Sequence, residues 1–444
     1  MIELRLQNYD VSRIVGDVLG RGTERCAVLF ASAVELPDGS VRMIVKDVEF
    51  PEEGSYDDRS EISAQLAPAY VAYVGKKAAR ENCSIVFLHS HPGAMRPEFS
   101  SIDDKGELHL AKFLSVRTPG IVHASAVVSA GGWRGRQLGT DDPMRIVSIG
   151  PSIETLFEPH DADESITLRF DRQVRALGAA GQRRLELLTV AIVGLGGTGS
   201  IAAEQLAYLG VRKFILVDPD ELETTNLNRV VGSNQTDVGR PKVDVAGDHI
   251  MAIAPNARII QVQGDITRTA FASKLKAADC IFSCTDSHGS RAVIQQVAYQ
   301  YLIPCIDVGS VIAAKDGRID GIHGRIQALS AGLACFTCSG LLDPEEVRRD
   351  MMTEEERHRD PYILGDYEPA PAVISINATV TSLAITMFLA MMVGVPSEGR
   401  YVLYNARSPN LKSVSVSRNP NCYICSARGV LARGDKQPLF TRDD

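Results

Sequence analysis

An α/β chain is predicted, with a mixed strand-and-helix domain followed by a doubly wound, Rossmann-like domain. Three observations carry this. The first third reads as short apolar runs bounded by turns, around one helical period. Beyond residue 165 the rhythm changes to strand, Gly-rich turn, helix, strand, which implies a parallel sheet covered by helices. The length of 444 residues, at ~150 per domain, excludes a single small module.

The elements follow in order. Residues 26–34 are an apolar run, Pro37-Asp38-Gly39-Ser40 is a turn and 41–48 resumes the strand pattern, so a hairpin is predicted. Residues 62–79 carry apolar positions at helical spacing, and 84–88 form a buried strand running into His89. The stretch 150–165 mixes Pro, Gly and acidic residues without periodicity and reads as a linker between domains at 1–149 and 166–430. Next come a strand at 188–193, glycines, a helix at 200–209 and a strand at 213–217. Residues 345–360 are densely charged with both signs, a solvated helix or crossover loop. From Pro369 to Ser397 there is no charge, yet six Ser, Thr and Asn residues and prolines at both ends favour a buried helix over a membrane span. Residues 431–444 read as a polar tail.

Hydrophobic residues at 45% and charged residues at 23% place the chain in the ordinary globular range. The 47 Lys plus Arg stand against 55 Asp plus Glu, a net charge of −8, which argues against nucleic acid as a partner. The opening residues lack the apolar core of a secretory signal, so a cytoplasmic setting is expected. Nine cysteines, an odd number, give little support to disulfides there.

Two constellations carry chemistry. In the first, His89 and His91 leave a strand end on one side, because strand side chains alternate, so both imidazoles can reach one ion. Asp103 would be a third zinc ligand and water a fourth, the open arrangement of a catalytic site. Glu24 is placed to shuttle the proton, with Glu35 a competing carboxylate, and Ser100 to hydrogen-bond a developing oxyanion. Asp104 can replace Asp103 if the register slips by one.

In the second, Gly194, Gly196, Gly197 and Gly199 lie between a strand and a helix, where backbone amides can approach a phosphate. Asp218 ends the next strand, placed for ribose hydroxyls. This much fits an NAD dehydrogenase equally. Asn226, Arg229, Lys242 and Asp286 add an amide, two cations and a carboxylate, with Arg172 and Arg175 upstream. So many cations suit attack on an α-phosphate of ATP, with an Asp-bound Mg²⁺, better than hydride transfer. Finally Cys335-x-x-Cys338 and Cys422-x-x-Cys425 predict a closed, structural Zn²⁺ site.

Glu24, His89-x-His91-Pro92 and Ser100-x-x-Asp103 together resemble the JAMM (JAB/MPN) metalloprotease family over residues 15–145. The resemblance implies a JAB/MPN-type α/β domain that hydrolyses peptide or isopeptide bonds at the C-terminus of ubiquitin-like proteins. RFDRQVRALGAAGQRRL, VAIVGLGGTGS, ILVDPDELETTNLNR, GRPKV and CTD resemble the E1/ThiF/MoeB superfamily over residues 168–428. That resemblance implies ATP-dependent adenylation of the C-terminal carboxylate of a ubiquitin-like or sulfur-carrier protein. It assigns Asp218 and Asp220 to the ribose side, Asn226, Arg229 and Lys242 to the phosphates and Asp286 to Mg²⁺. Arg172 matches an arginine given to the neighbouring subunit, so a homodimer is implied. Thioester-forming relatives carry an acceptor cysteine between the two cysteine pairs, expected here near Asp366-Tyr367-Glu368, and this chain has none there. The adenylate is therefore expected to pass to an external thiol or amine, for example on an E2-like protein. The combined expectation is a bifunctional enzyme, E1-like activator and zinc isopeptidase, of the kind found in bacterial conjugation operons, some tied to antiphage defence. Sulfur-carrier activation with trimming by the JAMM domain is the alternative.

Overall fold

The computed structural model describes residues 1–20, 22–159, 167–315, 318–353, 355–356 and 371–443. The chain divides into two compact units, Met1–Ala162 with Leu431–Pro438, and Asp163–Val430 with Leu439–Asp444.

The first unit runs β1 (Ile2–Gln7), α1 (Asn8–Val18), β2 (Cys26–Glu35), β3 (Val41–Glu49), β4 (Tyr56–Arg59), β5 (Ala64–Leu66), α2 (Pro68–Glu81), β6 (Ser84–Ser90), α3 (Ser101–Arg117), β7 (Ala124–Ser129), β8 (Gly132–Gln137), β9 (Met144–Ile149) and β10 (Ile153–Phe157). Among the described residues its main sheet has the order β10-β9-β1-β3-β2-β6-β7-β8, and β4 and β5 form a separate pair. The two-residue period of β2 serves two cores: Ala27, Leu29 and Ala31 face the cluster holding Ile14 and Val18 of α1, while Val28 and Phe30 face Val74 and Ala78 of α2 and Leu114 of α3. Burying each of the larger side chains contributes about 1.5–3 kcal/mol. The predicted hairpin is β2–β3. The helix expected at 62–79 begins only at Pro68, because the residue before a proline is driven extended (Ala67, ψ 140°) and residues 64–66 pair with β4. Within the stretch read as linker, Ile153–Phe157 pairs antiparallel with β9; residues 160–166 lie outside the described residues.

The second unit contains α4 (Asp171–Leu187), β11 (Thr189–Val193), α5 (Gly197–Tyr208), β12 (Lys213–Asp218), α6 (Lys242–Ile253), β13 (Arg258–Gln263), α7 (Thr269–Ala272), β14 (Cys280–Ser283), α8 (His288–Gln300), β15 (Cys305–Lys315), β16 (Arg318–Leu329), α9 (Phe336–Ser339), α10 (Pro344–Asp350), α11 (Ile374–Val393), β17 (Tyr401–Asn405) and β18 (Asn410–Ser413). Among the described residues the sheet order is β13-β12-β11-β14-β15-β16-β17-β18. The strands from β13 to β15 are parallel and the rest antiparallel. The order reverses between β11 and β14. In such sheets ligands bind in the crevice at the carboxyl ends of the strands flanking that reversal. The uncharged helix α11 is long and apolar enough to cross a membrane, but it packs on α5, β15 and β16 as a core helix does.

The terminal segment, read from its polarity as a tail, is built into the fold. Ser32 donates to the Arg433 carbonyl at 3.0 Å and Lys436 to the Asn82 carbonyl. The Phe440 amide donates to Gln296, and Arg442 donates to Thr267. Three of these four bonds have a main-chain group at one end, which composition does not reveal. Of the charged stretch, residues 344–350 form α10; the expected acceptor position at Asp366-Tyr367-Glu368 lies outside the described residues.

Candidate functional site

In the first unit His89 is the penultimate residue of β6, paired with Cys26 and Val127 of the flanking strands, and His91 directly follows the strand end. The Arg25 amide donates to Ser90 Oγ and the His91 amide to the Val128 carbonyl, so neighbouring strands fix both histidines. The Nε2 atoms lie 3.2 Å apart, and Asp103 Oδ1 lies 3.1 Å from His89 Nε2. His91 Nε2 stands 3.7 Å from Asp103 Oδ2 and 3.5 Å from Glu24 Oε1. Zinc bonds of about 2.0–2.2 Å in a tetrahedron place ligand atoms roughly 3.3–3.6 Å apart. The three side chains therefore fit such an ion.

Glu24 is 5% exposed, and burial raises its carboxyl to about 7, close to the value useful for proton shuttling near neutrality. Burial would raise Asp103 too, but the His89 contact and the Ser100 hydrogen bonds hold it well below the usual carboxylate range. Burial, with His89 beside it, lowers His91. Ser100 is the N-cap of α3: its Oγ accepts from the Asp103 amide at 3.2 Å, while its own amide donates to Asp103 Oδ2 at 2.6 Å. The hydroxyl hydrogen stays available for the expected oxyanion contact. Asp104, the alternative ligand, pairs instead with Arg136 at 2.8 Å, and Glu35 is exposed at the far end of β2 from Glu24. Sequence reasoning missed Arg136 and Phe99. The guanidinium lies 3.9 Å over the Phe99 ring, whose edge meets His89, and it also binds Glu107. A cavity of about 620 Å³ shares Glu24, His89 and Asp103 with apolar walls from Leu66, Phe87 and Phe113.

In the second unit the glycine turn follows β11 and the Cys284-Thr285-Asp286 turn follows β14, on the two sides of the strand-order reversal. Gly194 has φ 88°, and a Cβ on it would fall 2.6 Å from the Cys284 carbonyl. A Cβ on Gly199 would fall 1.8 Å from the Gly194 carbonyl, whereas beside Gly196 the space is open. The tight turn and the open approach are what a phosphate on the N-terminus of α5 requires.

Asp218, 4% exposed, accepts from the Leu195 amide at 2.6 Å and from the Asp220 amide at 2.9 Å. Each oxygen keeps a lone pair for a hydroxyl. Burial raises its carboxyl despite Lys242. Lys242 lies 2.7 Å from Asp220 and 4.0 Å from Asp218. Arg229 donates to the Thr225 carbonyl, and its Cδ would lie 3.5 Å from a Cβ on Gly197, beside the glycine turn. Asn226 is buried with Oδ1 accepting from the Glu223 amide, so this oxygen shapes its own loop. Arg172 is exposed on the first turn of α4, and Asp286 is exposed after β14. Desolvation pushes the Cys284 thiol up to about 12, so it is a poor thiolate nucleophile at neutral pH. Asn377 of α11 was not anticipated: it accepts from Ser310 and its Nδ2 covers Gly197.

The four cysteines of the second unit converge. Cys335 and Cys422 have Sγ atoms 3.5 Å apart, as do Cys338 and Cys425, and all four lie within 4.8 Å of one another. Zinc–sulfur bonds of about 2.3 Å predict sulfurs roughly 3.8 Å apart, so the cluster fits a closed tetrahedral ion.

A parallel sheet with a glycine turn, an acidic strand end and a second turn across the reversal defines a Rossmann-like nucleotide-binding protein. Within that class the chain belongs to the ThiF family, which it matches over residues 170–424. It is 27% identical over 264 residues to the molybdopterin-synthase adenylyltransferase of Escherichia coli (strain K12), covering 58% of this chain and 96% of that one. It is 25% identical over 256 residues to the SAMP-activating enzyme E1 of Haloferax volcanii, covering 57% and 86%. Among solved structures, E. coli MccB with MccA-N7isoASN has a TM-score of 0.48 at 20% identity, covering 59% of this chain and 76% of that one.

Proposed function

We propose that the second unit adenylates the C-terminal carboxylate of a ubiquitin-like or sulfur-carrier protein with ATP, and that the first is a JAMM-type zinc peptidase acting on the same C-terminus. The observation that carries the reading is the pairing of the glycine turn with Cys284-Thr285-Asp286 across the strand reversal, in a chain of the ThiF family. Relatives named as a molybdopterin-synthase adenylyltransferase and a SAMP-activating enzyme E1 support the reading of a protein substrate. Lys242 and Arg229 would spread charge on the phosphates, and the α5 N-terminus would hold them. Mg²⁺ at Asp286 would neutralise charge shared between the phosphates. Arg172, exposed on α4, would serve a second copy's site in a homodimer.

In the peptidase, His89, His91 and Asp103 would hold zinc, which supplies a water of pKa about 7. Glu24 would carry the proton between that water and the leaving amine, and Ser100 would donate to the oxyanion. One active centre liberates a carboxyl group and the other activates it, so joining them in one chain raises their effective concentration for the shared substrate. Cys335, Cys338, Cys422 and Cys425 would hold the structural zinc.

The direct test is ATP–pyrophosphate exchange by the full chain with candidate ubiquitin-like proteins. Exchange that needs an intact partner C-terminus and is lost in Asp286→Ala supports the reading; exchange unchanged in that variant overturns the assignment of Asp286. A protein thiocarboxylate as product would favour sulfur-carrier chemistry, and a covalent conjugate, formed with an E2-like protein or without one, would favour modification. For the peptidase, His89→Ala with His91→Ala should remove one of two bound zinc ions and abolish cleavage of C-terminally extended substrate.

A further inference from the structure

Asp307 is a lone acid in the apolar strand β15, with no solvent exposure. It accepts from Ser283 Oγ at 2.8 Å and from Arg291 Nε at 3.1 Å, and Arg325 Nη2 lies 2.5 Å from its other oxygen. Burial disfavours the charged acid, but the two guanidiniums outweigh it and lower the carboxyl from its ordinary value, so it stays ionised. Removing a fully buried carboxylate from water is costly unless its partners are close and well aligned. These partners come from three elements: Ser283 ends β14, Arg291 lies in α8 and Arg325 in β16.

Arg291 does one more thing. While Nε is held by Asp307, its Nη1 donates to the main-chain carbonyl of Asp286 at 3.1 Å. Asp286 itself lies in the exposed turn that follows β14. One rigid, planar guanidinium thus connects an immobile buried anion to the peptide that carries the turn's carboxylate. Arg325 shares the anion from β16, where it sits opposite Gly309 in the strand register, but it has no bond to the Asp286 peptide among those the structure defines.

We propose that Asp307 and Arg291 are positioning residues for the nucleotide-bound divalent cation, acting by fixing the peptide of Asp286. This deepens the adenylation reading and rests on it. Arg291 does not touch the nucleotide; it sets where the Asp286 carboxylate points. A group held through such an outer partner typically loses 10–100-fold in metal affinity when the partner is removed.

The test compares two conservative variants in the full chain. Arg291→Lys keeps a cation beside Asp307 but is too short and single-headed to keep the bond to the Asp286 carbonyl as well. Arg325→Lys removes the other guanidinium and leaves that bond intact. Binding of Mn²⁺ in the presence of ATP is read by the Mn²⁺ electron paramagnetic resonance signal, with ATP affinity in the absence of metal measured separately. Arg291→Lys should weaken Mn²⁺ binding about tenfold or more with metal-free ATP affinity unchanged, while Arg325→Lys should leave both at the wild-type value. Asp307→Asn, if it folds, should reproduce Arg291→Lys. Equal losses in the two lysine variants would mean a purely structural network and overturn the proposal, as would wild-type Mn²⁺ affinity in Arg291→Lys. If the wild type bound no ATP at all, the adenylation reading and this proposal would fall together.

Discussion

The Ile85 amide donates to Nδ1 of His123 at 3.0 Å. An accepting Nδ1 carries no proton, so the neutral ring has its hydrogen on Nε2, which lies 2.8 Å from Thr118 Oγ1; the Thr118 hydroxyl in turn donates to the Leu114 carbonyl. Every hydrogen in this chain has one acceptor. A second ring proton would confront the Ile85 N–H, and burial accordingly lowers His123 to about 4.

A stability window follows. Above the unfolded value of about 6.5 the ring is neutral in both states and contributes no pH dependence. Between there and about 4 only the unfolded chain binds the proton, so stability falls as pH falls, by up to about 3 kcal/mol. Urea midpoints at pH 7 and pH 5 should therefore diverge less in His123→Gln than in the wild type. Equal divergence would show that the imidazole is protonated in the folded protein.

Gly131 is the contact on which the loop between the two histidines and Asp103 rests. A Cβ there would fall 1.8 Å from the Met95 carbonyl oxygen and 2.9 Å from its carbon, main-chain atoms that cannot swing aside. Gly131→Ala must push residues 92–99 outward and with them the approach of Asp103 to His89. Zinc analysis of the purified variant should give one ion per chain, retained by the cysteines, against two in the wild type. Gly93→Ala, with nothing within 4 Å of the added carbon, should keep both.

Much of this was legible in the sequence because it is local. The β2–β3 hairpin, the Gly194 turn, the acidic end at Asp218 and both cysteine pairs depend on spacing within a few residues, and periodicity or turn chemistry reports such spacing directly. His89, His91 and Asp103 were legible for the same reason, being brought together by one strand end and one helix start. Other features were not, since their partners are far apart in the chain. Arg136 meets Asp104 and Phe99, Asn377 meets Gly197 and Ser310, and Asp307 gathers Arg291 and Arg325. The one available signal for the last was an acid inside an apolar strand, which demands a cationic partner without naming it. The terminal tail misled because polar composition suggests solvation, whereas the side chains of Lys436 and Arg442 and the backbone at Arg433 and Phe440 are the groups that dock it.

That docking can be broken at one residue. Gly434 has φ 52°, and a Cβ on it would lie 2.9 Å from the Ser32 Cβ and 3.3 Å from Val34. Gly434→Val combines an unfavourable backbone region with crowding and should cost on the order of 1–3 kcal/mol. The loss belongs to the first unit, where Ser32 and Val34 sit in β2. Amide exchange should accelerate in β2 and β3 and remain at the wild-type rate in β11 and β12. Uniform acceleration in both units would show that residues 431–438 do not belong energetically to the first.

Two helical glycines separate conformational need from mere tolerance. Gly178, inside α4, has φ 73° and ψ 163°, a region held almost only by glycine. It breaks the helix so that the turn bearing Arg172 leaves at a different angle from residues 179–187. Gly178→Ala should cost about 1–3 kcal/mol or straighten the helix and redirect Arg172. Gly16, exposed in α1 with nothing within 4 Å of an added Cβ, makes no such demand, and there alanine removes only unfolded-state freedom for a gain of about 0.5–1 kcal/mol. Amide protection should rise in α1 of Gly16→Ala and fall across residues 171–177 of Gly178→Ala. If the latter variant kept wild-type protection together with full ATP–pyrophosphate exchange, the kink would have no part in presenting Arg172.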